Sequence, residues 1–260
     1  MSLELTWGGE PIRAILHSEE PDLTSRFDQL FPSVWPEYNR HGDVLNPLWE
    51  GLYETFPEYQ FVLVHDENGS ILARGNTIPF AWDGTLEDLP SGIDELAQRG
   101  FANQEEGVVP NVMSAMAAEV PRRHQSKGFG VLVLKTMAAL ASGGGFERLL
   151  APARPSFKER YPITPIEEYQ SWKGTDGYPF DPWLRAHVML GAEFLRPAPE
   201  SLRITGTVAE WSSWTGMAFP GSGTYVFPRG LSTLEIDREA DQGRYWEPNV
   251  WMMHPVKPAG

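Results

Sequence analysis

A chain of 260 residues that is 41% hydrophobic and 22% charged can bury a sizeable core; it holds no cysteine, which excludes disulfides, thiolate metal sites and a cysteine nucleophile. Its net charge of −14 argues against nucleic acid as a partner and favours a cationic amine, although an acidic surface also serves solubility. No apolar run approaches the roughly 20 residues that span a bilayer, and Met1–Trp7 lacks a basic segment followed by an apolar one, so a cytoplasmic protein with no membrane partner is expected.

No repeat or linker divides the chain, so one domain is expected over residues 1–260, with a core over about 20–200 and a β-rich extension over about 201–260. Leu23, Phe27, Leu30 and Phe31 recur at helical spacing behind Asp22, a helix-capping type, which predicts a helix over 22–31. A second helix is expected over 46–56, stopped by Pro57. Tyr59–Val64 and Ser70–Asn76 flank Asn68-Gly69, the signature of a hairpin turn with positive φ at both central residues. A short helix over 93–99, a buried strand over Val112–Val120, an apolar helix over Val131–Ser142 ended by three glycines and a strand over Arg148–Pro152 follow. Tyr161–Trp183 reads as a loop rich in aromatics and prolines, Pro182–Leu190 as a helix stopped by Gly191. Strands are expected at Ser201–Ala209, Gly223–Phe227 and Leu234–Ile236.

The chemistry-bearing segment lies between the buried strand and the apolar helix. Gln125-Ser126-Lys127-Gly128-Phe129-Gly130 fits Gln/Arg-x-x-Gly-x-Gly/Ala. Glycines at 128 and 130 let backbone approach a ligand, and the next helix offers unpaired N–H groups at a positive dipole end. Arg122, Arg123 and Lys127 reverse the local charge of an acidic chain, as a pyrophosphate requires. A P-loop, a Rossmann fingerprint, a Gly-x-Ser-x-Gly elbow and His-Glu-x-x-His are all absent, which leaves no metal in the expected site.

The run Ala115–Val120, the Gln125–Gly130 loop and the apolar helix together resemble motif A of the GNAT superfamily of N-acetyltransferases. Leu190-Gly191-Ala192-Glu193-Phe194-Leu195 resembles the helix-Gly-strand junction near the end of many members, so the likeness covers roughly 20–200. It implies an α/β fold with a mixed, mainly antiparallel sheet, helices on both faces, and two strands that splay around the pantetheine arm of acetyl-CoA, the acyl-donor co-substrate. By position, Ala118, Glu119 and Val120 would contact pantetheine. Gln125, Ser126, Lys127, Gly128, Phe129 and Gly130 would hold the pyrophosphate, with Arg122, Arg123 and Lys127 adding charge near the 3′-phosphate. The implied reaction is acyl transfer, of acetyl above all, to a primary amine by direct attack.

Such a transfer needs a deprotonated amine, a stabilised oxyanion and a proton for the leaving thiolate. Family members often place a tyrosine acid four residues ahead of the junction glycine; here that position is His187, with Tyr178 or Tyr169 as alternative phenols. Glu119 is the carboxylate within the strand and a candidate base, competing with a structural salt bridge. Strand alternation puts it on the face opposite Ser114, Met116, Ala118 and Val120 unless a bulge intervenes. Ser114 is a candidate to position a water. The aromatic, acidic stretch 161–183 suits a cationic acceptor or else covers the sheet. A small-molecule amine is the expected acceptor, and a homodimer is among the expected arrangements. Two rival functions remain: a non-catalytic acyl-CoA sensor, and a protein-interaction domain built on Trp211, Trp214, Trp246 and Trp251, although such residues more often fill cores.

Overall fold

The computed structural model describes residues 3–32 and 34–256, so the outer ends of the expected 1–260 domain lie outside the described residues. In chain order the elements are β1 (Leu3–Trp7), β2 (Glu10–Leu16), α1 (Asp22–Leu30), α2 (Leu45–Trp49), α3 (Gly51–Thr55), β3 (Gln60–His65), β4 (Ile71–Phe80) and α4 (Ile93–Glu106). They continue with β5 (Val112–Glu119), α5 (Phe129–Gly143), β6 (Arg148–Ala153), α6 (Ile166–Tyr169), α7 (Pro182–Met189), β7 (Glu193–Gly206) and α8 (Val208–Thr215). β8 (Gly223–Tyr225), β9 (Leu234–Asp237) and β10 (Gln242–Pro255) complete the chain.

The strands form a mixed sheet in the order β1-β2-β3-β4-β5-β6-β10-β9-β8, with β7 along the other edge of β10. Pairing is antiparallel except between β5 and β6. Strand alternation divides the core between two faces. Met113, Ala115, Leu149 and Ala151 pack with Leu132, Val133 and Met137 of α5. Val112 and Leu150 point the other way, joining Ile78, Phe80 and α4 residues Leu96 and Ala97. Leu23 and Phe27 of α1 cover Val62, Val64 and Ile71 in a third cluster.

The segment expected to extend the domain lies inside it. β10 pairs with β6 through Val250–Pro255, with β9 through Gln242–Tyr245, and with β7 along its opposite edge. Trp211 and Trp251 are fully buried, so they serve packing and not an exposed aromatic interface. Other expectations need local correction. Asp22 makes no capping bond, and the helix over 46–56 is two short ones. The β3–β4 loop takes positive φ at Gly69 but not at Asn68; it closes through His65 N–H on the Ser70 carbonyl at 2.9 Å. β7 starts at Glu193, and 208–215 is helical behind a Thr207–Glu210 capping box.

Candidate active site

β5 and β6 pair only at Met113–Leu149 and Ser114–Leu150. Beyond that point they part, and Ala115–Val120 and Ala151–Arg154 border a cavity of about 1310 Å³. Along β4, Thr77 faces Ala115 and Asn76 faces Ala117, leaving Met116 as an extra residue. This bulge reverses the alternation: Ile78 opposes Ser114 and Arg74 opposes Glu119, two β4 positions on one face. Glu119 therefore shares the face of Ser114, contrary to the simple strand reading, and projects toward α1.

At the turn from β5 into α5, six consecutive N–H groups, Ser126 through Val131, find no acceptor among the described residues. Ser126 has φ +60 and Gly128 φ +83, which turns successive amides toward one concavity at the start of the 15-residue α5. The arrangement fits a pyrophosphate. The glycines have a further cause: a Cβ on Gly128 would lie 2.2 Å from the Trp7 ring, and one on Gly130 2.9 Å from Trp183. Trp7 also donates from Nε1 to the Lys127 carbonyl at 2.8 Å. Gln125 donates to the Val120 carbonyl at 3.1 Å, tying the loop to the end of β5. Arg123 stacks on Phe31, while Arg122 lines the cavity.

At the end of β5, Glu119 is 1% exposed. Its Oε2 accepts from Arg74 Nε at 2.7 Å and Nη2 at 2.6 Å, and its Oε1 accepts from the Trp35 indole at 2.6 Å. The expected salt bridge is thus present, and one oxygen keeps a single donor. Five residues before Glu119, Ser114 is fully buried where β5 and β6 still pair, its Oγ donating to the Leu150 carbonyl at 3.2 Å. It does not border the cavity and positions no water there. His187 lies in the cavity wall on α7, its Nδ1 2.8 Å from His254 Nε2 and its Nε2 buried without a partner. Burial, and next the neighbouring His254, pull its pKa down to about 3. Burial thereby favours the neutral ring near neutral pH.

The phenol alternatives do not meet the cavity. Tyr169 is buried with its hydroxyl on Asp181 at 2.9 Å, and Tyr178 is exposed elsewhere. Tyr161, Tyr169, Trp172 and Phe180 pack on one another, edge to face or tilted, and join the α5 side of the main core, so this stretch mainly covers the sheet. Of that stretch only Pro182 and Trp183 border the cavity, and the rest of its aromatic wall comes from Phe27, Phe31, Trp35, Trp49, Phe129 and Phe157.

Beside the cavity lies a second ion pair that no local motif announces. Glu247, on β10, accepts from Arg154 Nε at 2.6 Å, Asn39 at 2.7 Å, Tyr245 at 3.0 Å and Tyr38 at 3.1 Å. Arg154 directly follows β6, and its Nη2 reaches the Tyr38 hydroxyl at 3.1 Å and the Arg229 carbonyl at 3.2 Å. Residues 246–249 of β10 fall between its pairing with β9 and its pairing with β6, and that break in the ladder leaves room for the cluster.

A mixed sheet with a parallel pair that opens beside a run of unpaired amides is the arrangement expected from the likeness to the acyl-CoA-dependent acyltransferases. No protein-family model matches the chain. The arginine N-acetyltransferase avaD of Aspergillus versicolor is 33% identical over 266 residues, 91% of each chain. In fold the chain is similar to the loading GNATL domain of CurA from Lyngbya majuscula, with TM-score 0.57, 17% identity and coverage of 94% and 96% of the two chains. It is also similar to the GphF GNAT-like decarboxylase in complex with isobutyryl-CoA, with TM-score 0.59, 18% identity and 95% and 99% covered. The chain belongs to the GNAT superfamily of N-acetyltransferases. It is an enzyme that acylates an amine.

Proposed function

We propose that the acceptor is a small basic amino acid of the arginine type, acetylated on its α-nitrogen by direct attack without a covalent enzyme intermediate. Similarity to an arginine N-acetyltransferase along 91% of both chains carries this reading. The α-amine is the nucleophile because it loses its proton several pH units below a guanidinium.

Acetyl-CoA supplies an activated thioester. In this reading the Ser126–Val131 amides and the α5 N-terminus hold its pyrophosphate, and the unpaired edge of β5 at Ala118, Glu119 and Val120 receives the pantetheine arm. Glu119 takes the amine's proton, directly or through one water, because Oε2 is committed to Arg74 while Oε1 faces only the Trp35 indole. Neutral His187 borders the cavity with its Nε2 buried and unpartnered, a hydrogen-bonding group that would lie beside the leaving sulfur. A cytoplasmic location belongs to the same proposal.

The test is release of free thiol from acetyl-CoA in the presence of L-arginine, with the product placed by fragment-ion mass spectrometry. Saturable turnover to α-N-acetylarginine is expected, and Glu119→Gln should lower kcat by about 10² or more. Tight acetyl-CoA binding with no turnover over a panel of basic amines would overturn the reading and favour a sensor.

A further inference from the structure

We infer that Arg229 and Arg154 form a clamp for the α-carboxylate of the acceptor, so that the enzyme selects amino acids over the corresponding decarboxylated amines. The inference rests on the amino-acid acceptor proposed above.

Both residues line the cavity. Arg154 spends Nε and Nη2 on Glu247, Tyr38 and the Arg229 carbonyl, while its Nη1 has no hydrogen-bond partner among the described residues. Its side chain is 20% exposed, so this arm of the fork is the part left to face the opening. The Arg229 guanidinium makes no hydrogen bond or ion pair to any described residue.

The backbone beneath Arg229 is held in an uncommon shape. Its φ is +66, a left-handed conformation that is unfavourable for a non-glycine residue and persists only where the surroundings enforce it. The enforcement is visible: the Tyr38 hydroxyl at 2.8 Å and Arg154 Nη2 at 3.2 Å both donate to its carbonyl. The same two bonds thus set the position of Arg229 against Arg154.

The electrostatics point to an anion. Burial lowers the pKa of Arg229, and the charges of Arg154 and Arg122 lower it further, against some relief from Glu159. Cations therefore converge on one side of the cavity in a chain whose net charge is −14. Glu247 cannot neutralise them all, because both of its oxygens are already saturated by Arg154, Asn39 and the two tyrosines. A carboxylate would meet planar donors in the geometry guanidinium groups favour. Placed there, it would fix the adjacent α-nitrogen within the same cavity as Glu119.

Steady-state kinetics of the full chain with L-arginine and with agmatine, which is arginine without its carboxylate, test the clamp. The wild type should favour arginine by about tenfold or more in kcat/KM, and Arg229→Gln should raise the KM for arginine about tenfold, the worth of one charge-assisted contact. The KM values for agmatine and acetyl-CoA should stay within about twofold, and Arg229→Lys should restore part of the loss. Arg229→Gly removes the charge and suits the left-handed backbone, so it should repeat the kinetic effect of Arg229→Gln even if that variant folds poorly. Equal losses for both amines, no loss, or a rise confined to the KM for acetyl-CoA would overturn the clamp, the last by assigning the charge to the donor's phosphates. Failure of the wild type to acetylate either amine would instead sink the acceptor reading, and the clamp with it.

Discussion

The two ends of the cavity are built by different means. The end proposed for the donor is one continuous stretch, Val120–Val131, in which main-chain N–H groups are left unpaired and side chains set the shape. The other end is assembled from side chains far apart in sequence: Arg74 and Trp35 meet Glu119 across 45 and 84 residues, and Arg154 and Asn39 meet Glu247 across 93 and 208. A backbone cradle tolerates many side chains but few changes of φ. A side-chain cluster tolerates backbone variation but not loss of a charge.

The two buried ion pairs sharpen that contrast, and the largest effect should come from breaking the less cushioned one. Glu247→Gln strands Arg154 beside Arg229 and leaves two tyrosine hydroxyls and Asn39 around a neutral amide. Loss of one partner of a buried pair costs about 3–5 kcal/mol, readable as a lower urea midpoint. Glu119→Gln should cost less stability, because Arg74 retains Asp28 at 2.9 Å, a carboxylate that is 60% exposed and already solvated. Its penalty should fall on kcat. Equal destabilisation by the two substitutions would erase the distinction.

At the donor end the corresponding break is Gly128→Ala. The left-handed φ of +83 costs a side chain about 1–2 kcal/mol, and the added carbon must push the Trp7 ring away. The cradle amides should lose alignment and acetyl-CoA should bind about 100-fold more weakly by calorimetry, equivalent to about 2.7 kcal/mol. Gly130→Ala should do less, since its φ is ordinary and the obstructing atoms belong to the far edge of Trp183. The reverse ranking would mean that ring packing, not backbone conformation, dominates the loop.

A milder lever is pH. Unfolded, His187 and His254 gain protons below about pH 6.5; folded, burial holds them neutral until about 3 and about 4. In that interval the unfolded chain binds more protons, so stability falls as pH drops from about 6.5 toward 4, and the pair contributes no slope above 6.5. Urea melts at pH 7.5, 6 and 5 should show this fall, and His254→Gln should flatten it. A slope that persists unchanged would place the acid sensitivity elsewhere.

What was legible in the sequence follows the same division. The loop could be read because its residues are adjacent and a glycine pattern follows from local geometry. Helix α5 and strands β3 to β6 could be read because each hides a continuous apolar run. β10 escaped because it carries Glu247, Asn249 and His254 among its apolar residues, together with Pro248 and Pro255. Those polar groups are buried and mostly partnered, and Pro248 falls at the irregularity between Glu247 and Asn249 where no ladder partner is required. The acceptor-side cluster has no spacing to read, since only the crossing of β10 into the sheet brings Glu247 to Arg154. The α8 start is legible in Thr207-Val208-Ala209-Glu210, a capping box, although the strand expected over Ser201–Ala209 runs through it.

The smallest effect is expected where sequence reasoning placed a catalytic candidate and the fold did not. Ser114 sits just before the point where β5 and β6 separate, so its hydroxyl bridges the two strands and never reaches the opening. Ser114→Ala removes one bond to the Leu150 carbonyl and leaves a space the size of an oxygen atom. The carbonyl belongs to a strand that pairs with β10 on its other side, so β6 stays anchored. The cost should be about 1 kcal/mol of stability, with kcat and both KM values unchanged. A fall in kcat without a fall in stability would mean that the seam between the strands sets the width of the splay, and would make the donor end depend on a side chain after all.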